Sequence, residues 1–67
     1  MKVVELQHPK PSPHVAELRR LLGRDNCMAG GGPDHSVYGF RFDTADEANE
    51  AVEKIWSKWP AMNVTFK

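Results

Sequence analysis

The stretch V37-Y-G-F-R-F-D-T-A-D-E-A-N-E-A-V52 joins an alternating aromatic strand to a capped, amphipathic helix, and its reading decides the fold. Residues two apart on a strand share a face, so Tyr38, Phe40 and Phe42 stand together, opposite Val37, Gly39 and Arg41. The segment T44-A-D-E47 matches a capping box, in which Glu47 reaches back to the Thr44 amide. Asp43, Asp46 and Glu47 also sit where the helix dipole favours negative charge. Ala48, Ala51, Val52, Ile55 and Trp59 then form one apolar stripe, and Pro60 ends the helix.

Upstream, G30-G-G-P-D34 reads as a turn. Residues 25–29 read as a short strand forming a hairpin with 36–42; a long irregular loop is the alternative, disfavoured because structureless loops beyond about 12 residues are uncommon in compact domains. Before that, Val15, Leu18, Leu21 and Leu22 repeat at helical spacing, with Gly23 suited to the C′ position. Ser12 and Pro13 read as N-cap and first helical residue, which gives helix one the span 13–22. H8-P-K-P-S-P13 is too proline-rich for a ladder or a helix. Residues 2–7 alternate, with Val4 and Leu6 on one face and Val3, Glu5 and Gln7 on the other. Downstream, A61-M-N-V-T-F-K67 alternates again, with Met62, Val64 and Phe66 on one side. The order is β-α-β-β-α-β, whose natural solution is a ferredoxin-like split βαβ sandwich: two helices on one face of a four-stranded antiparallel sheet, in one α+β domain over residues 1–67.

The segment G39-F-R-F-D-T-A-D-E-A48 resembles the third strand and second helix of RNA-recognition motifs. That resemblance implies strand aromatics displayed on the open sheet face for base stacking. The physical pattern points the other way. One sheet face must cover two helices whose stripes are Val, Leu, Ala and Ile, and only the Tyr38–Phe40–Phe42 face can do so. Slipping the register by one residue would bury Arg41 and expose three rings. Burying each ring contributes about 1.5–3 kcal/mol, so the inward orientation is expected. The open face then carries Val3, Glu5, Gln7, Val37, Gly39, Arg41, Asn63, Thr65 and Lys67, a poor platform for single strands.

Nine basic and nine acidic side chains cancel, which argues against non-specific attraction to a phosphate backbone. A single cysteine, Cys27, excludes an intramolecular disulfide and makes a reducing, cytoplasmic setting the expectation. No apolar run approaches a membrane span, so no membrane partner is expected.

Candidate chemistry is thin. His8 and His14 flank the proline-rich loop without a C-x-x-C pair, and His35 is expected at the opposite end of the sheet, so no metal or cofactor is expected. Cys27 and His35 flank a glycine turn with no third group to orient them; Cys27 reads as a half-buried thiol and the chain as non-enzymatic. A29-G-G-G-P33 lacks the Lys-Ser/Thr pair and the following helix of a phosphate-binding loop.

Charge is unevenly spread. Arg19, Arg20 and Arg24, with Lys10, gather around helix one; Asp43, Asp46, Glu47, Glu50 and Glu53 gather on helix two, relieved by Lys54 and Lys58. Trp56 lies off the core stripe, and tryptophan is enriched at interface hot spots. Trp56, Lys58 and Met62, with Arg19, Arg20 and Arg24, are therefore the candidate partner-binding residues. The expected function is a small protein-interaction module of regulator or inhibitor type, binding another protein or a second copy of itself. The alternative is nucleic-acid binding through the basic surface of helix one.

Overall fold

The computed structural model describes residues 2–67. Strand β1 runs Lys2–Pro9, helix α1 Val15–Leu22, β2 Met28–Gly31, β3 His35–Phe42, α2 Ala45–Lys58 and β4 Asn63–Phe66. The strands form one antiparallel sheet in the order β2-β3-β1-β4, the ferredoxin-like layout.

The rings of the central strand look inward. Phe40 and Phe42 are buried with Val4 and Leu6 of β1, Leu18 of α1, and Ala48, Ala51, Val52 and Ile55 of α2. Tyr38 packs at the margin of this cluster, half-buried. Register explains the sorting: Val4 faces Phe40 and Leu6 faces Tyr38, while Val3 faces Arg41 and Gln7 faces Val37 on the open side. β4 continues the same faces, with Phe66 beside Val4 and Thr65 beside Glu5. Met28 of β2 joins the open face opposite Gly39. A Cβ on Gly39 would lie only 3.1 Å from that of Met28, so the missing side chain is what lets the two strands close up there.

Four boundaries differ from the sequence reading. Strand β1 runs past residue 7 into the proline-rich stretch, where His8 and Pro9 pair with Ser36 and His35; Pro9 lacks an amide but stands at the strand's end, where one donor fewer is tolerated. Strand β2 begins at Met28 and uses Gly30 and Gly31, which pair with Val37 and Ser36. The glycine run is therefore half strand, and the turn shrinks to Gly32–Asp34, closed by the Gly32 amide donating to the His35 carbonyl at 3.0 Å. Gly31 takes φ 135°, and a Cβ there would stand 2.5 Å from the His35 carbonyl oxygen, so only glycine fits. Helix α1 starts two residues later than Ser12–Pro13 suggested. His14 is the N-cap, its Nδ1 accepting from the Ala16 amide at 3.2 Å. The Ser12 hydroxyl is engaged elsewhere, donating to Ser36 Oγ at 2.9 Å, while the Lys10 amide donates to the Asp34 carbonyl. Those two bonds hold residues 10–12 against the start of β3 and keep the chain extended through Pro13. The last difference is at β4: Ala61 and Met62 belong to the turn, the Met62 amide donating to the Trp59 carbonyl at 3.0 Å.

The helix ends otherwise behave as their sequences require. Gly23 closes α1 in the left-handed region at φ 69°, its amide donating to Arg19. Thr44 caps α2, accepting from the Glu47 amide at 3.2 Å. The reciprocal half of the capping box is replaced: Glu47 Oε2 turns to Arg24, 3.3 Å away.

Candidate interaction surface

His8 and His35 lie at the same end of the sheet, contrary to the expectation of opposite ends. β1 and β3 are antiparallel neighbours, so the end of one meets the start of the other, and Pro9 stands opposite His35. They still do not meet. His8 pairs with Ser36 on the helix side, and His35 is one residue further, on the open side. His35 Nδ1 instead lies 2.9 Å from Asp34 Oδ1. That hydrogen bond, foremost, holds the Asp34 carboxyl below its usual value. Among the described residues, no group of three or more metal-ligating side chains converges. Cys27 is exposed rather than half-buried, although its amide donates to the Gly39 carbonyl of β3 at 2.7 Å.

The basic cluster is largely committed within the molecule. Arg24 lies over the Phe42 ring at 4.4 Å, donates to the Arg41 carbonyl and pairs with Glu47. It thereby ties the segment after α1 to β3 and to α2. Arg19 donates to Asn26 at 2.9 Å, and Asn26 in turn donates to the Met28 carbonyl. Among the described residues, Arg20 alone of the three has no hydrogen-bond or ion-pair partner; it borders a cleft of about 300 Å³ with Glu17, Leu21 and Lys58. Lys58 also stands over the Trp59 ring, 5.6 Å from its centre.

Trp56, Lys58 and Met62 do not form one patch. Met62 is 4% exposed and belongs to the core. Its side chain offers a partner nothing, and its carbonyl already accepts from Trp56 Nε1 at 2.9 Å. Successive helical residues turn about 100°, so Trp56 and Lys58 project from opposite flanks of α2. Lys58 faces α1; Trp56 faces β4.

The flank toward β4 was missed in the sequence. Among the described residues, the most exposed large apolar side chains are Phe66 (51%), Trp56 (47%) and Met28 (39%). Phe66 and Trp56 border the same strip. Phe66 shares a groove of about 330 Å³ with Lys2, Ala45, Ala48, Asn49 and Lys67. Seven residues on from Asn49, about 10 Å along the axis and on the same helical face, comes Trp56. Small residues at Ala45 and Ala48 leave the Phe66 ring uncovered by α2.

Beside this strip runs the outer edge of β4, which pairs only with β1. The Lys67 amide donates to the Val3 carbonyl at 2.8 Å. In an antiparallel ladder alternate residues bond inward, so Asn63, Thr65 and Lys67 bond to β1, and the N–H and C=O groups of Val64 and Phe66 face outward. The opposite edge of the sheet is different in kind. Both edge strands are four residues long, but β2 ends in glycines and leads within two residues to Pro33, features that weaken pairing at an edge.

The chain matches no family model, no curated protein and no solved structure. The reading of this surface therefore rests on its own geometry. Among the described residues, no helix is long and apolar enough to cross a membrane.

Proposed function

We propose that this chain is a small protein-docking module, non-enzymatic and of regulator or inhibitor type, whose working surface is the β4 edge with the α2–β4 flank. The supporting observation is the coincidence of free main-chain groups on Val64 and Phe66 with the exposed rings of Phe66 and Trp56 beside them. An extended segment added to such an edge gains affinity from main-chain hydrogen bonds and selectivity from side-chain contacts in the adjoining groove. Tryptophan at the rim supplies a large rigid anchor. The single exposed Cys27 is compatible with a reducing, cytoplasmic setting.

Nucleic-acid binding through helix one is the weaker reading. Phosphate recognition needs free guanidinium groups, and Arg19 and Arg24 are held by Asn26 and by Phe42 and Glu47.

The deciding variant is Val64→Pro. Its nitrogen faces outward, so proline removes an edge donor without breaking a bond to β1. With the immobilised domain, a partner retained by the wild type is expected to be lost from the Val64→Pro and Trp56→Ala forms and kept by Arg20→Ala. Equal retention by the wild type and both flank variants refutes the assigned surface.

A further inference from the structure

We propose that the partner taken by this edge is a second copy of the chain, β4 against β4 about a twofold axis; the inference rests on the docking reading above. The free groups select one register. Pairing Val64 with itself would bring Met62 opposite Phe66, but the Met62 carbonyl is held by Trp56 and its amide by the Trp59 carbonyl. Placing the axis at Thr65 sets Val64 against Phe66 of the other copy, and both exchange their outward N–H and C=O groups. Every free edge group from Val64 to Phe66 is then satisfied, and the sheet runs continuously through both copies.

The side chains suit that register. On the helix side each Phe66 ring lies against Val64 of the other copy, an aromatic–β-branched pair of the kind that stabilises sheets. On the open side Thr65 meets Thr65, and Lys67 stands opposite Asn63. The axis also carries the Trp56 end of one copy toward the Phe66 end of the other. There the groove between Ala45, Ala48 and Phe66 is wide enough, at about 330 Å³, to receive a ring. Charge is complementary as well: Lys2 and Lys67 border the groove, whereas the neighbour one turn from Trp56 on its outer side is Glu53. Lys67 is shared with Glu5, at 3.2 Å, so Lys2 is the free cation of the pair among the described residues.

The contact is small. A standard interface takes ~800 Å² from each partner. A four-residue edge with two half-exposed rings supplies less. The dimer is therefore weak and reversible, with a dissociation constant on the order of tens of micromolar.

The test is register-specific. In an antiparallel pair that does not exchange hydrogen bonds, facing Cα atoms approach to about 4.5 Å, close enough for a disulfide. In a Cys27→Ser background, Thr65→Cys is expected to cross-link to itself on mild oxidation with oxidised glutathione, whereas Asn63→Cys is not. Sedimentation velocity of the wild type is expected to show a concentration-dependent dimer, weakened at least ~10-fold by Val64→Pro, which removes one main-chain donor from each copy. A wild type that stays monomeric up to about millimolar concentration, far above the dissociation constant expected for so small an interface, overturns the proposal. So does self-cross-linking of Asn63→Cys in place of Thr65→Cys. If that monomer still retains another protein through an edge that Val64→Pro disables, the second copy is wrong while the docking edge stands; if it retains nothing, both fall.

Discussion

Replacing Arg24 by alanine measures whether its guanidinium is structural or free for a partner. In the folded chain the side chain lies 4.4 Å over the Phe42 ring, donates to the Arg41 carbonyl at 2.5 Å and meets Glu47 at 3.3 Å. A cation–π contact of this exposure contributes about 0.5–1 kcal/mol. The hydrogen bond to the carbonyl adds about 1 kcal/mol. The ion pair, a third or more exposed on both sides, adds roughly 0.5 kcal/mol at most. Against these, Arg24 Nε is buried without an acceptor, and deleting it returns about 1 kcal/mol. The net expected loss for Arg24→Ala is roughly 0.5–1.5 kcal/mol, a sizeable share of the ~3–10 kcal/mol available to a domain of this length. Arg24→Met keeps the stem over Phe42 and removes the stranded Nε, so it should cost about half as much. Urea unfolding followed by tryptophan fluorescence reads both. With a slope near 1 kcal/mol per molar for so small a protein, the alanine variant should shift the midpoint down by about 0.5–1.5 M. A midpoint unchanged within error, or a methionine variant worse than alanine, would show that the clasp around Phe42 does not hold the fold.

Two further outcomes follow from local geometry. Gly31→Ala places a Cβ 2.5 Å from the His35 carbonyl at φ 135°, so it is expected to cost more than about 2 kcal/mol in the same urea experiment, whereas Gly30→Ala, with open space around its Cβ, costs little. The Asp34 carboxyl is held below its usual value chiefly by the hydrogen bond from His35. Its contribution to stability is therefore present at neutral pH and fades as pH falls through the ordinary carboxylate range. Asp34→Asn should lower the midpoint slightly at neutral pH and leave it unchanged in acid; a larger effect in acid would reverse the sign.

The inward rings were legible because two periodicities agree on them. A period of two puts Tyr38, Phe40 and Phe42 on one face, and the stripes of α1 and α2 need an apolar sheet face to cover. Where side chains carry no pattern, legibility failed. Gly30 and Gly31 pair as strand residues, yet nothing in a glycine run distinguishes a ladder from a turn. Ser12 satisfied the local rule for a helix cap, but its hydroxyl is taken by Ser36, 24 residues away, and His14 caps instead. The grouping of Trp56 with Met62 failed for a related reason. Proximity in sequence put them together, while the turn after α2 swings Met62 into the core and leaves only its carbonyl beside the indole. The phase of hydrogen bonding along β4 was invisible for the deepest reason: it depends on which neighbour the strand pairs with, and that is fixed only by the sheet order.

That phase is also what separates the two edges of the sheet as possible working surfaces. A bare strand edge invites pairing with any other chain, and folded domains blunt it unless it is used. β2 and β4 are equally short, and the blunting at β2 lies in its terminal glycines and the nearby Pro33. At β4 it is absent: Val64, Thr65 and Phe66 are strand formers, and the nearest cation, Lys67, is turned to the open face, where it meets Glu5. The exposed rings of Phe66 and Trp56 lie along this unguarded edge rather than on the open face, whose only large exposed apolar side chain among the described residues is Met28. A free main-chain edge and uncovered aromatic rings each cost a small domain something in aggregation risk. Their placement on one flank suits a single partner that covers both, which is why the docking surface is proposed there and not on the basic helix or the open sheet.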